Sequence, residues 1–520
     1  MQLEYKYENF YEVLETNTKN TPNKKVIYTA NKAYTNKQLK HKVDLFARFL
    51  EISGIQYQDK VALVLNNSEF FVIALFAASK IGAVCVPVNN FLKSEELEYI
   101  INNCDAKLLV TDVVFKKELT SVFENTQVEK IVWTTGDKTL DERNFCFDEI
   151  LSGTTVEDTV AHPPKLNDTA IIVYTSGTTG NPKGAMLSYK NIFSNSISGS
   201  MRFEVTHKDR FIVYLPMFHS FTLSIMVLLP FHQNSSIVIV KSIFPFSNVL
   251  KQVLLKRVTI FLGAPQIYNA LNKAKIPWYF MWFNSLRGFL SGSAPLSEQV
   301  LVDFKKRFKN VVMSEGYGLS ECSPAVIANP LDKQKVLSVG IPLASYEVKI
   351  VDDELVEVPT GEVGELIVKG DCVMQGYYKN EEATSSTIIN GWLRTGDLAK
   401  VDEDGYYYIV DRIKDLIISK GINIYPREIE EHIFKLEGID AVAVVGVADE
   451  TKDERIVAFV ELKDEYKDKI TVKTIKDFIK PHLANFKMPK HIYIIDKLPR
   501  NATNKVLKRK LKENIEYYTK

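Results

Sequence analysis

At 520 residues the chain is too long for one hydrophobic core, so two or more domains are expected. It is 46% hydrophobic and 25% charged with a formal net charge of +1, a globular composition that gives no reason to expect nucleic acid as a partner. Five cysteines (Cys85, Cys104, Cys146, Cys322, Cys372) are odd in number and lack CxxC spacing, which argues against a disulfide framework or zinc site and for buried, reduced thiols in a cytoplasmic protein.

The first fifteen residues, MQLEYKYENFYEVLE, are acidic early and have no apolar stretch of the kind a signal peptide needs. No apolar run reaches about 18 residues, so no membrane span is expected. The richest run, 221–231, reads as core or pocket wall. Contact with a membrane surface and a homodimer both stay open.

Leu39, Val43, Phe46, Phe49 and Leu50 recur at helical spacing and predict a helix over 36–53, stopped by Gly54. Residues 61–65 predict a buried strand, and Ser68 a cap for a helix ending near Gly82. A strand at 83–88, a helix from Ser94 and a strand at 106–111 continue the alternation. That is the pattern of a parallel sheet with helices on both faces, where ligands sit outside the carboxyl ends of the strands.

Residues 174–184 read YTSGTTGNPKG and follow the apolar run 170–173. With a helix expected from about Ser188, they predict a strand–loop–helix connection. Glycines let backbone approach a ligand closely, successive N–H groups form a concave anion site, four hydroxyls (Thr175, Ser176, Thr178, Thr179) add donors, and Lys183 brings a positive charge. That chemistry suits a polyphosphate. The GK[ST] spacing of a Walker A loop is absent, and by composition alone a polar surface loop fits as well.

Further strands are predicted at 211–215, 236–240 and 259–263. From about Ser345 the runs 347–351, 364–369 and 405–410 are short, alternating and turn-bounded, as in an antiparallel sheet or barrel. Near Asp411 the character changes again, to a helix at 428–435, strands at 441–447 and 456–462, and a helix at 472–483.

The string YTSGTTGNPKG closely resembles the nucleotide-binding loop of the adenylate-forming superfamily of acyl-CoA synthetases, peptide-synthetase adenylation domains and firefly luciferase. PMFHSF (216–221), SGSAP (291–295), EGYGLSE (315–321), WLRTGD (392–397), DRIKD (411–415), SKGINIYP (419–426) and PRNATNK (499–505) match the same superfamily in order. The resemblance implies an α/β fold. A large N-terminal domain (1–412) of parallel α/β sheets plus a small antiparallel barrel-like sheet would precede a small, mobile α+β C-terminal domain (413–520).

It also implies site residues. Thr175, Ser176, Gly177, Thr178, Thr179, Gly180 and Lys183 would hold the phosphates of ATP. Gly292, Ser293 and Ala294, with Glu315, Gly316, Tyr317, Gly318 and Ser320, would hold the adenine and α-phosphate, Tyr317 stacking on the ring. Glu321, with Thr175, would bind Mg²⁺. Asp397 and Arg412 would meet the ribose, Lys414 would be the hinge, and Lys420 and Gly421 would meet coenzyme A. His219 would shape the acyl-acid pocket, and Lys505 would bridge the attacking carboxylate and the α-phosphate. Lys505, Lys183, His219 and Glu321 form the expected catalytic set. Relatives commonly carry Thr at Ser320, where the hydroxyl survives, and Gly at Asn504, where Asn still tolerates left-handed backbone.

The expected activity is an AMP-forming acid–thiol ligase joining a medium- or long-chain fatty acid to CoA, with Phe218, Phe221, Leu223, Ile225 and Met226 lining the acyl site. Three alternatives stand beside it: an aryl-acid–CoA ligase, a carrier-protein-loading enzyme, and a non-catalytic nucleotide-binding scaffold. Loss of Lys505, Glu321 or the 174–184 loop would favour the scaffold, and all are present.

Overall fold

The computed structural model describes residues 3–134, 142–153, 163–175, 181–243, 245–274, 276–292, 296, 298–309, 311–419, 422–448, 454–500, 506–515 and 517. Its first half follows the predicted alternation. The helix Asn36–Ile52 opens on a capping box between Thr35 and Gln38, and Ser68 caps Glu69–Lys80 by accepting from the Phe71 amide. Strands Thr169–Thr175, Val84–Pro87, Lys60–Val64, Ala106–Thr111, Lys130–Trp133 and Asn144–Cys146 lie parallel, in that order.

The Gly-rich motif enters this sheet differently from the strand–loop–helix expectation. Lys183 opens a second strand, Lys183–Ser188, which runs antiparallel to Thr169–Thr175 with Lys183 opposite Thr175. Gly184, Ala185, Leu187 and Ser188 are buried while Lys183 and Met186 are less so, a burial without the two-residue alternation that would have marked a strand in the sequence. The helix Tyr189–Arg202 starts only after this strand, capped by Ser188.

A second sheet runs Ile341–Pro342, Ala325–Ala328, Val312–Gly318, Gly288–Ser291, Ile260–Gly263, Arg210–Val213, Ser236–Ile239, Lys25–Tyr28 and Ala33–Thr35. The strand Val312–Gly318 carries residues 315–318 of the EGYGLSE motif within itself. It pairs parallel with Gly288–Ser291 as far as Glu315, then antiparallel with Ala325–Ala328 from Gly316. Gly318 is required there, because a Cβ would stand 2.0 Å from the Pro324 carbonyl oxygen.

Glu347–Val351, Gly364–Lys369, Trp392–Val401, Ile388–Ile389 and Tyr407–Arg412 form the curled antiparallel sheet. Beyond it, the hairpin Ile417–Ser419 with Ile422–Ile424 and a three-stranded sheet (Ile439–Ala448, Glu454–Leu462, His491–Ile494) pack with helices Pro426–Phe434 and Val472–Ile479. The helix Val472–Ile479 stops short of the expected 483 because Pro481 cannot continue it. One continuous core joins both large sheets and reaches Ile409, whereas Ile417 onward packs in separate clusters. Among the described residues no helix is long and apolar enough to cross a membrane. The five cysteines are free, four of them buried and Cys146 partly so.

Candidate active site

A cavity of about 650 Å³ lies where the carboxyl ends of both large sheets meet the antiparallel sheet. Each sheet contributes from a strand end. Thr175 and Lys183 come from the first, Ser291, Gly292 and residues 316–318 from the second, and residues 393–396 from the third. His219, Ser320, Glu321, Arg412 and Lys414, all expected site residues, also stand on its wall. Residues far apart in sequence are thus brought to one space. Ser176, Gly177, Thr178, Thr179, Gly180, Ser293, Ala294, Lys420, Gly421 and Lys505 lie outside the described residues.

Two expected residues stand behind the wall. Glu315 is buried, accepts the Leu296 amide at 3.0 Å, and is pushed up to about 7 by burial, against that hydrogen bond and the charge of Arg427. Asp397 is also buried. Its Oδ1 pairs with Arg412 Nε at 2.9 Å and its Oδ2 accepts from the Tyr317 hydroxyl at 2.6 Å. Burial, and then the Asp397 charge, hold that hydroxyl well above its ordinary range, so Tyr317 stays a donor. Each carboxylate oxygen keeps a second lone pair, and Asp397 can accept from a ligand hydroxyl without releasing either partner.

Glu321 sits in the short 3₁₀ turn Ser320–Cys322, and its Oε1 accepts from the Tyr377 hydroxyl at 3.0 Å. The Lys183 ammonium lies over the same Tyr377 ring, 5.3 Å from its centroid. Among the described residues no group of three or more His, Cys, Asp or Glu could hold a metal unaided. One carboxylate with a neighbouring hydroxyl, Thr175, fits a magnesium ion that takes its remaining ligands from phosphates and water.

The Ser220 and Ser320 hydroxyls bond at 2.8 Å, which ties the His219 segment to the Glu321 turn. His219 Nδ1 accepts the Phe221 amide at 3.3 Å, placing the ring proton of the neutral imidazole on Nε2. The segment continues into a π-helix, Thr222–Leu228, whose wide turn sets Phe221 and Ile225 on the cavity face. Leu223 and Met226 turn into the core instead, and Phe218 packs against Phe91. The expected acyl-site list is therefore corrected. Phe221 and Ile225 are joined by Phe203, Leu290 and Ile327, which no motif marked.

Spacing also missed the braces. Glu365, a lone carboxylate in an apolar strand, accepts Arg394 Nε and Nη2 at 2.8 and 2.6 Å and the Gly396 amide at 3.0 Å. This buried fork fixes the turn before Asp397. Its only sequence signal is a charge in the run GELIV. Tyr377 gave none, since its partner Glu321 is 56 residues away.

A family model described as AMP-binding enzyme matches residues 14–378, and one described as AMP-binding enzyme C-terminal domain matches 428–505. The chain is similar to the long-chain-fatty-acid–CoA ligase of Escherichia coli O6:H1, 31% identical over 536 residues, covering 98% of this chain and 95% of that one. It is 32% identical over 494 residues to the feruloyl-CoA synthase of Amycolatopsis sp, covering 94% and 95% of the two chains. The solved structure of the anthranilate CoA ligase AuaEII in complex with anthranoyl-AMP is similar at a TM-score of 0.90 and 27% identity, covering 100% of this chain and 99% of that chain.

Proposed function

Because the chain belongs to the AMP-binding enzyme family, we propose that it is an ATP-dependent acyl-CoA ligase acting on a medium- or long-chain fatty acid. The observation that carries this reading is the mixed polarity of the 650 Å³ cavity. Its lining includes the charged Lys183, Glu321, Arg412 and Lys414 and the apolar Phe203, Phe221, Ile225, Leu290 and Ile327. A charged nucleotide and an apolar acid suit the two sets.

The first half-reaction joins a carboxylate oxygen to the α-phosphorus and breaks the bond to pyrophosphate, giving an acyl-adenylate. Two anions must meet, so the barrier is largely electrostatic. Lys183 and Lys505 offset that repulsion, and the His219 Nε2–H orients the carboxylate. Magnesium, when bound at Glu321 and Thr175, would supply further charge neutralisation. Tyr317 and Gly292 flank the adenine, and Asp397 with Arg412 accepts and orients the ribose. In the second half the thiolate of CoA attacks the acyl carbon and AMP leaves. Lys420 and Gly421 serve this step. The boundary between domains falls at 412/413, and Lys414, exposed beside it, is the hinge that exchanges the two sets.

A second reading, an aryl acid with a polar substituent, is favoured by Ser291. Ser291 lines the cavity, and its buried hydroxyl has no hydrogen-bond partner among the described residues. AMP and pyrophosphate formation from MgATP with acetate, octanoate, palmitate and 4-coumarate, each with and without CoA, tests both. CoA-dependent AMP release with octanoate or palmitate supports the first reading, and with 4-coumarate alone the second. Pyrophosphate without thioester points to a carrier protein as acceptor, and silence with every acid sinks the ligase.

A further inference from the structure

The helix Trp278–Phe283, sequence WYFMWF, turns four aromatic rings outward. Trp278 and Trp282 are 74% and 80% exposed, Phe283 68% and Tyr279 45%. Phe280 is buried and pins the helix to the core, while the Asn284 amide closes its end on the Phe280 and Met281 carbonyls at 2.8 and 3.2 Å. Single exposed rings are ordinary on a protein surface. Four on consecutive turns form a patch that water disfavours and that calls for a partner.

The composition selects among partners. Tryptophan and tyrosine combine an apolar body with a polar tip, the chemistry that settles in the headgroup layer of a bilayer. Charge around the patch agrees. Arg307 ends the helix Glu298–Arg307 and donates to the carbonyls of Leu271, Asn272 and Ala274, the segment leading into the aromatic helix. Exposed Lys305, Lys306 and Lys309 flank Arg307 in the chain, so that clasp ties them to the same segment. The Arg287 amide bonds the Thr259 carbonyl at 2.9 Å, so exposed Arg257 lies at the same amino-terminal end of the two parallel strands. Of the acidic groups nearby, Asp209 is consumed by Arg287 at 2.7 Å, Asp303 pairs with Lys306 at 3.5 Å, and Glu204 is exposed. A chain of near-zero net charge thus has a locally basic, aromatic end.

We propose that this end docks on an anionic lipid surface, with Trp278, Tyr279, Trp282 and Phe283 entering the headgroup layer and Lys305, Lys306, Lys309 and Arg257 facing its phosphates. The surface lies at the opposite ends of the strands from the cavity mouth, so docking leaves nucleotide access open. Arg287 also donates to the Phe203 carbonyl at 3.1 Å, and Phe203 lines the apolar part of the cavity. The proposal does not depend on which acid is activated.

The full chain is mixed with vesicles of phosphatidylcholine alone or of an equimolar mixture with phosphatidylglycerol, and binding is read by co-flotation and tryptophan emission. Binding to the anionic vesicles with a blue shift, weakened by salt, is the expected result. Trp278→Ala with Trp282→Ala lowers partitioning by about tenfold or more, and Lys305→Ala or Lys306→Ala by about fivefold each. All four positions are exposed, so the variants keep the parent's melting curve. Absence of binding to anionic vesicles overturns the proposal, as does a double variant that binds like the parent. So does sedimentation that shows a dimer dissociating in the double variant, since the patch would then cover a second copy.

Discussion

Replacing Asp397 by Asn separates a ribose-binding role from a bracing one. The carboxylate is 3% exposed and holds Arg412 Nε at 2.9 Å and the Tyr317 hydroxyl at 2.6 Å. An amide keeps the shape and removes the charge. The Tyr317 bond then falls from charge-assisted to neutral, a loss of about 1 kcal/mol. The Arg412 side chain is 39% exposed, so solvent screens its pair and the loss there is about 0.5 kcal/mol. Global stability therefore drops by roughly 1.5 kcal/mol. A ribose that donates both hydroxyls to Asp397 loses about 1 kcal/mol per bond, or about thirtyfold in affinity. AMP binding by calorimetry, the ATP KM in a pyrophosphate-release assay and the melting temperature are measured together. Should AMP bind the variant within about threefold of the parent while the melting temperature falls, Asp397 only braces Tyr317 and Arg412, and the ribose argument fails.

Gly318→Ala forces a methyl against the Pro324 carbonyl, where its Cβ would stand 2.0 Å away, and is expected to cost about 3 kcal/mol, read as a lower denaturation midpoint. Glu315 is raised to about 7, so between its ordinary 4.5 and that value the native state holds a proton the unfolded chain has released. Its contribution is complete below 4.5 and is lost as pH rises to about 7, on the order of 3 kcal/mol. Glu315→Gln, which still accepts the Leu296 amide, should flatten that slope, and an unchanged stability–pH curve would contradict the assignment. Lys505→Ala should lower acid-dependent pyrophosphate release by about a hundredfold while thioester formation from supplied acyl-adenylate and CoA stays within about threefold. Equal losses in both halves would remove the division of labour.

Much of the framework was legible because its signals are local. Ser68 before an apolar helix, the helical spacing of Leu39, Val43, Phe46 and Leu50, and apolar runs at 106–111 and 364–369 each fix an element within a few residues. Motif order was legible for the same reason, and in the structure Thr175, Lys183, His219, Glu321, Tyr317 and Arg412 line one cavity. The strand from Lys183 was hidden, because a Gly/Pro-rich string does not announce that the chain turns back to pair with the strand it has just left. Leu223 and Met226 pointed the wrong way because a π turn alters which residues share a face, and no local pattern distinguishes it from an α turn. Tyr377 on Glu321, Glu365 under Arg394, and Asp397 between Tyr317 and Arg412 join residues from different elements. Sequence by itself determined the order of elements and the chemistry available to each loop. Which side chains meet was decided only when the three sheets packed, because contact across sheets depends on burial and register summed over the whole chain.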